Sequence, residues 1–264
     1  MQKTPYLHFT LKLIDLLKKE RQAYILHRLD LHNKVVNASL CTDMGVSEDT
    51  VRRDLYELSQ AGKLIKVHGG ALSLAFNEVK FETSNVYSQS KKVTIAEKAI
   101  GLIRDNMYVL TSGGTTILEM AKQLPPQLRA TFITGSIPAL NVYITHPNIN
   151  VVVVGDKVNK AARITTGASA LSRIREVNAD LCFLGTNAID LQRGITDNDW
   201  EVIELKKAMI AASAKTVCLA ISEKLNSFEP LQVCALKQID YLITELDPDD
   251  KILQPYAAAG ITVL

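Results

Sequence analysis

From about residue 90 onward the chain alternates between two hydrophobic periods, and that alternation restricts its fold more than anything else in it. Short β-branched and apolar runs look like buried strands: YVL (108–110), TFIT (131–134), NVVVV (150–154), LCFLG (181–185), TVCLAI (216–221) and DYLIT (240–244). Between them, AEKAIGLI (96–103), TILEMAKQL (116–124), SALSRIREV (169–177) and WEVIELKKAMIAAS (200–213) read as helices. Strands separated by helices pair in parallel, because only a long crossover returns the chain to the same end of a sheet. The expectation is an α/β fold: a doubly wound, mostly parallel sheet covered on both faces.

Residues 1–75 do not share this pattern and read as a separate, largely helical domain. Ser73 to Ser90 has weak periodicity and many polar residues, so 76–90 is expected to be a linker and 91–264 the second domain. There are 264 residues, 47% hydrophobic and 22% charged, which supplies enough apolar material for a full core. No run approaches the roughly 20 apolar residues of a membrane span, and the charged N-terminus does not read as a secretory signal. The four cysteines, Cys41, Cys182, Cys218 and Cys234, lack any C-x-x-C spacing and read as small core hydrophobes in a reducing cytoplasm. No His, Cys or carboxylate cluster has metal-ligand spacing, and no cofactor is implied; His27 and His32 read as surface residues. The net charge of +2 does not by itself announce nucleic acid, but residues 1–77 carry 11 Lys and Arg against 8 Asp and Glu.

Within the first domain, ERQAYILHRL (20–29) sets Ile25 and Leu29 on one face. A second short helix is expected over 35–45, with Val36, Leu40 and Met44 inward and Gly45 as its end. Ser47 is the N-cap candidate of a third helix, with Glu48 and Asp49 in the first turn to complement its dipole. Val51, Leu55 and Leu58 form its buried stripe, so Thr50, Arg52 and Arg53 project away. Two helices joined by a tight turn make a helix-turn-helix, whose second helix lies in the major groove. Arg52 and Arg53 then stand where guanidinium groups meet guanine edges or phosphates, with the Ser47 and Thr50 hydroxyls near phosphate oxygens. KLIKVHGGALSL (63–74) reads as a β-hairpin turning near His68-Gly69-Gly70, a wing from which Lys63, Lys66 and His68 grip the backbone. An arginine pair on an isolated helix is usually a solvated face; the ordered series of turn, helix and basic hairpin argues otherwise. Asp54 is expected to pair locally with a basic neighbour.

In the second domain, YVLTSGGTTILEMAKQL (108–124) is a strand, a Ser/Thr/Gly loop and a helix start. Such a turn lets backbone N–H groups at Gly113 and Gly114 approach an anion, with Ser112, Thr115 and Thr116 adding hydroxyls. Thr134, Gly135 and Ser136 repeat the chemistry at the end of the next strand. In a parallel sheet these loops meet at the C-terminal edge, where ligands bind, so a phosphate or sugar-phosphate site is expected.

Met44 to Ala71, MGVSEDTVRRDLYELSQAGKLIKVHGGA, closely resembles the signature of the DeoR family of bacterial transcriptional regulators, together with Glu20-Arg21-Gln22 ahead of it. The resemblance implies that Ser47, Thr50, Arg52 and Arg53 contact DNA, and that residues 1–19 are an N-terminal extension. It continues through ADLCFLG, GITDNDWEVIELKKAMI and LAISEKL, which follow the family's sensor domain, similar in fold to sugar-phosphate isomerases and deaminases. By that resemblance the effector pocket uses Ser112 to Thr116, Thr134 to Ser136, Gly167, Asn187, Asp197 and Lys224. Lys224 is either a point charge for the phosphate or an ordinary surface lysine.

Four departures accompany the likeness. Ser112 replaces the aspartate of D-S-G-T-T, Gly135 the asparagine of T-N-S, Asp156 the second glycine of G-G, and Ile221 the aspartate of D-S-S-K. Lost carboxylates imply a changed or weakened ligand. They also weaken the case for an isomerase or deaminase, which needs a carboxylate base near the sugar; Asp197, Asp199 and Glu201 remain as candidates. The expected function is a cytoplasmic, metabolite-responsive regulator that acts as a repressor, with double-stranded operator DNA and a phosphorylated metabolite as partners and a homo-oligomer, dimer or tetramer, as the working form. The alternatives are an enzyme fused to a DNA-binding module and a regulator whose pocket binds nothing.

Overall fold

The computed structural model describes residues 17–32, 34–74 and 87–264. The chain divides into two compact units, 1–87 and 88–264. Most of the expected linker and nearly all of the N-terminal extension lie outside the described residues.

The first unit is built from α1 (Lys18–His32), β1 (Lys34–Val36), α2 (Asn37–Met44), α3 (Glu48–Gln60) and the hairpin β2 (Ile65–Val67) and β3 (Gly70–Leu72). Its core joins Ile25 and Leu29 of α1, Leu40 and Met44 of α2, and Val51, Leu55 and Leu58 of α3. Val36 corrects the expected second helix: Lys34–Val36 is a strand, and α2 begins at Asn37. The strand wins because Val35 and Val36 complete a three-stranded sheet in the order β1-β3-β2, with Val36 opposite Gly70. This pairing explains the two adjacent glycines. Gly69 takes φ +75° to turn the hairpin, and a Cβ on Gly70 would stand 2.0 Å from the Val35 carbonyl oxygen.

α1 is tied to α3 by charge as well as by packing. Arg21 Nε donates to Asp54 Oδ2 at 2.7 Å, with Asp54 only 2% exposed, and Lys18 pairs with Glu57 at 2.6 Å. Gln22 also donates to Glu57, so Arg21-Gln22 is the side of α1 that fixes the orientation of α3. Asp54 is thus held by α1, a distant part of the chain rather than a near neighbour in sequence.

The second unit contains α4 (Gln89–Ile100), β4 (Tyr108–Thr111), α5 (Thr115–Lys122), β5 (Thr131–Thr134), α6 (Ile137–Tyr143) and β6 (Asn150–Val153). After the hairpin β7 (Lys157–Asn159) and β8 (Ile164–Thr166) come α7 (Ala168–Arg175), β9 (Ala179–Gly185), β10 (Ala188–Asp190), β11 (Gly194–Asp197), α8 (Trp200–Ala211) and β12 (Ser213–Leu219). The chain closes with β13 (Leu231–Cys234), β14 (Tyr241–Ile243), α9 (Gln254–Ala258) and β15 (Thr262–Val263).

Seven strands form one sheet, β15-β14-β12-β9-β4-β5-β6, and every pair in it is parallel. All six expected strands are in it. Alternate residues serve opposite faces: Leu110, Ile133, Cys182, Leu184, Cys218 and Leu242 share a core with α7 and α8. On the other face Phe132 stacks on Tyr143 of α6, ring centroids 4.8 Å apart. The antiparallel trio β10-β11-β13 and the helix α6 are additions that strand–helix alternation did not announce. From β4 the chain winds outward through β5 and β6, then returns to place β9 on the other side of β4. The order of strand addition therefore reverses between β4 and β9, the kind of point at which a crevice forms beyond the C-terminal ends of the strands.

Candidate functional site

In the first unit the side chains expected to meet DNA are presented by α3 and the wing. Ser47 caps α3, its Oγ accepting from Thr50 N at 3.3 Å and lying 3.0 Å from Thr50 Oγ1. The cap fixes where the helix begins, and the buried stripe fixes its rotation, so Arg52 and Arg53 face outward. Arg52 is 58% exposed and pairs with Glu48 at 2.9 Å, an i,i+4 pair at the surface that leaves most of the guanidinium open. Arg53 is exposed and has no ion-pair partner among the described residues. Lys63, Lys66 and His68 are exposed along the hairpin. The structure thus sets all seven expected DNA-contact residues on α3, its cap and the wing.

In the second unit the C-terminal ends of β4, β5 and β9 converge. Ser112 N donates to Phe183 O at 3.0 Å, and Gly185 N donates to Ser112 Oγ at 2.9 Å, which ties the β4 loop to β9 across the reversal point. Thr134 Oγ1 donates to Thr111 O and accepts from Ser136 N, while Ser136 Oγ accepts from Ala139 N and caps α6. These contacts correct part of the expectation. The Ser112 and Thr134 hydroxyls shape the loops and are committed to backbone partners, leaving little capacity for a ligand. The donors left without a side-chain partner here are the backbone N–H groups of the first turn of α5, where Gly114 supplies no cap. Thr115 and Thr116 lie in that turn.

Ser112, Gly113, Thr134, Gly135 and Ser136 line one cavity together with Lys206. Its volume is about 30 Å³, room for a water or two, and much of its wall is apolar, including Ile164, Ile174, Leu205 and Met209. Gly167 is not part of that wall. It caps α7 at φ +104°, where an added Cβ would meet Asp156 Oδ1 at 2.9 Å. Asn187 and Asp197 do not line that cavity either and are joined to it through Lys206. Asp197 Oδ2 pairs with Lys206 Nζ at 2.7 Å, and Oδ1 accepts from Asn187 Nδ2 and Asn198 N, both at 2.7 Å.

Burial opposes the charge on Asp197, yet the attraction of Lys206, with its hydrogen bond and those from Asn198 and Asn187, holds the carboxyl below its ordinary range. Asp197 is therefore a counter-ion. Asp199 caps α8 by accepting from the N–H groups of Glu201 and Val202, and Glu201 pairs with Lys157. Each carboxylate weighed as a catalytic base already serves the fold.

Lys224 follows β12 and donates to Thr186 O at 2.6 Å, at the end of β9. Its turn is anchored by Lys91, which pairs with Glu223 at 2.6 Å and Glu245 at 3.1 Å, and by the Ser222–Glu245 hydrogen bond. Burial, and then repulsion from Lys92 and Lys206, pushes the Lys224 ammonium down to about 7 despite the attraction of Asp197. Its carbonyl contact and half-buried position separate Lys224 from an ordinary surface lysine. Lys92 and Lys206, each 4% exposed, are the residues sequence reasoning missed. Their signal was a lysine on a buried helical stripe: Lys92 precedes Ile95, Ala96 and Ala99, and Lys206 lies between Ile203 and Met209. A buried lysine demands a partner.

The two units together define a DNA-binding transcriptional regulator that carries a sensor domain. Residues 21–75 match the DeoR-like helix-turn-helix domain and residues 88–246 the DeoR C terminal sensor domain, and the chain belongs to the DeoR family. It is 30% identical over 247 residues to the HTH-type transcriptional regulator GolR of Listeria innocua, covering 92% of this chain and 97% of that one. It is 31% identical to the HTH-type transcriptional regulator GlpR of Haloferax volcanii (86% and 89% covered), and 30% identical to the HTH-type transcriptional repressor GlcR of Bacillus subtilis (94% and 96%). Among solved structures, ribose 5-phosphate isomerase A of Methanocaldococcus jannaschii superposes loosely, with a TM-score of 0.39 at 17% identity over 51% of this chain and 53% of that one.

Proposed function

We propose that this regulator is a cytoplasmic repressor whose operator affinity is controlled by a phosphorylated sugar or a related anionic metabolite bound at the C-terminal edge of the parallel sheet. The observation that carries the reading is the Lys224 ammonium, held at the end of β9 on a neutral carbonyl oxygen, that of Thr186. Burial and the nearby charges of Lys92 and Lys206 disfavour the charged form of Lys224, and Asp197, paired with Lys206, favours it. A part-buried ammonium on a neutral acceptor gains from an arriving anion, and the first turn of α5, which has no side-chain cap, offers N–H donors as well. The effector set is Gly113 to Thr116, Gly135, Ser136 and Lys224, with Lys206 added; Ser112, Thr134, Gly167, Asn187 and Asp197 support it from behind.

On the DNA side, Ser47, Thr50, Arg52 and Arg53 contact the operator along α3, while Lys63, Lys66 and His68 hold the flanking backbone. Two-fold symmetry is expected, because paired half-sites require at least a dimer. Thermal-shift measurements across phosphorylated sugars, their unphosphorylated parents and inorganic phosphate test the effector reading, since a ligand stabilises by mass action. Stabilisation by phosphorylated members alone, lost in Lys224→Met, is the expected result. A flat response throughout would instead support a sheet domain that only oligomerises, a second reading favoured by the small, apolar-walled cavity beside Lys206.

A further inference from the structure

Between the start of α3 and the wing lies a notch of about 240 Å³ lined by Asn37, Glu48, Arg52, Lys66, Val67, His68 and Gly69. At its base is Asn37, 8% exposed, whose backbone N–H donates to Gly69 O at 2.8 Å and so fixes the residue against the wing turn. Its Nδ2 donates to Glu48 Oε1 at 3.4 Å, while its Oδ1 is buried and has no hydrogen-bond partner. Arg52 Nη2 donates to the same Glu48 oxygen at 2.9 Å. Glu48 is thus gripped from below by Asn37 and from one turn along by Arg52, yet stays 54% exposed at the groove-facing end of the helix.

A carboxylate in that place opposes DNA binding unless it meets a donor, because the phosphates repel it. The helix dipole does not account for the grip, since Asp49 complements the dipole from the same turn at 80% exposure. In the major groove the donors are the exocyclic amino groups of cytosine and adenine. Adenine sets the N7 acceptor beside its amino group, which repels a carboxylate, whereas cytosine offers the amino group alone. The unsatisfied Asn37 carbonyl oxygen asks for a donor in the same notch. Arg52, one helical turn away, suits a guanine O6 and N7.

We propose that Glu48 is a specificity-determining residue that reads cytosine N4 in each half-site, with Asn37 as the residue that positions it. The inference concerns operator choice and does not depend on any effector. The test is selection of bound duplexes from a randomised DNA pool by the full chain, followed by sequencing. The parent should enrich cytosine at one position per half-site, by roughly 5- to 150-fold over other bases. Glu48→Gln should move that preference to adenine, because an amide pairs with N6 and N7 together. Glu48→Ala should erase preference at that position and leave the others intact. Asn37→Ser should relax the same position alone. Unchanged base preferences in Glu48→Gln and Glu48→Ala, with only a uniform change in affinity, would overturn the assignment. So would a shift produced by Asp49→Asn in place of the Glu48 variants.

Discussion

The two units use positive charge in opposite ways. On α3, Arg52 stands at 58% exposure and Arg53 is open to solvent, so their charge is hydrated, screened by salt and ready to exchange counterions for phosphates. In the sheet domain, Lys92 and Lys206 are 4% exposed and Lys224 is depressed to about 7. A long polyanion needs many reversible contacts, each of modest strength. A small anion has only a few atoms to offer, so a site for one would gather positive charge in advance and recover that energy on binding. The difference predicts that mutations in the sheet domain act first on stability, and mutations on α3 act first on DNA.

The largest effect should come from Lys206→Met, which leaves Asp197 ionised and buried without its partner, at a cost of about 3–5 kcal/mol. Urea denaturation of the full chain measures it, and Asp197→Leu in the same chain should restore most of the loss. A small decrease from the single variant would place Asp197 in wetter surroundings than its 2% exposure indicates. Breaking the Arg21–Asp54 pair by Arg21→Ala should destabilise the winged helix by about 2–3 kcal/mol, because the Asp54 side chain, 2% exposed, loses its charged hydrogen-bond donor. An unaltered melting transition for that unit would remove the ion pair as the clamp between α1 and α3.

Removing an exposed arginine should leave folding alone. Arg53→Ala is expected to lose about 1–3 kcal/mol of discrimination at one operator position, with its melting temperature unchanged. Lys63→Ala and Lys66→Ala should instead weaken binding to all sequences and each lower the salt slope by about 1, which titrations at several salt concentrations would show. Equal loss of specificity from the lysines and the arginine would erase the distinction between helix and wing.

Lys224 supplies a pH test of the sheet domain. The folded chain gives up this proton near 7, whereas an ordinary lysine holds it to 10.5. Between those values the unfolded chain binds more protons, so this residue's contribution to stability should improve as pH rises from about 7 toward 10.5. Lys224→Met should flatten that part of the profile. A phosphate group needs the ammonium form, so anion affinity should be greatest below about pH 7 and fall above it, with proton uptake on binding. Asp197 works in the opposite direction: its depressed carboxyl contributes stability above the ordinary 3.8, and this is lost as pH falls through its lower folded value.

Much of this architecture was legible because it depends on local periods. The stripe of Val51, Leu55 and Leu58 sets the rotation of α3 and hence the outward direction of Arg52 and Arg53. Strand–helix alternation gave all six expected members of the parallel sheet. What escaped has a common cause, which is dependence on partners far away in the chain. Val36 satisfies a helical spacing yet pairs with Gly70, 34 residues on, because the hairpin edge needed a third strand. Ser112 looks like a ligand-facing hydroxyl until Gly185 N binds it. Gly167 has the residue type of an anion loop, but its place is beside Asp156 at the start of α7.

The sequence by itself determined the two fold classes, the groove-facing arginines and the strand-end loops, because hydrophobic period and helix caps act over a few residues. Only the tertiary structure decided which charges are buried and with whom. Burial and pairing arise when α1 meets α3 and when α4, α8 and the β12 turn come together, and while a helical stripe can mark a lysine as buried, its partner stands on another element.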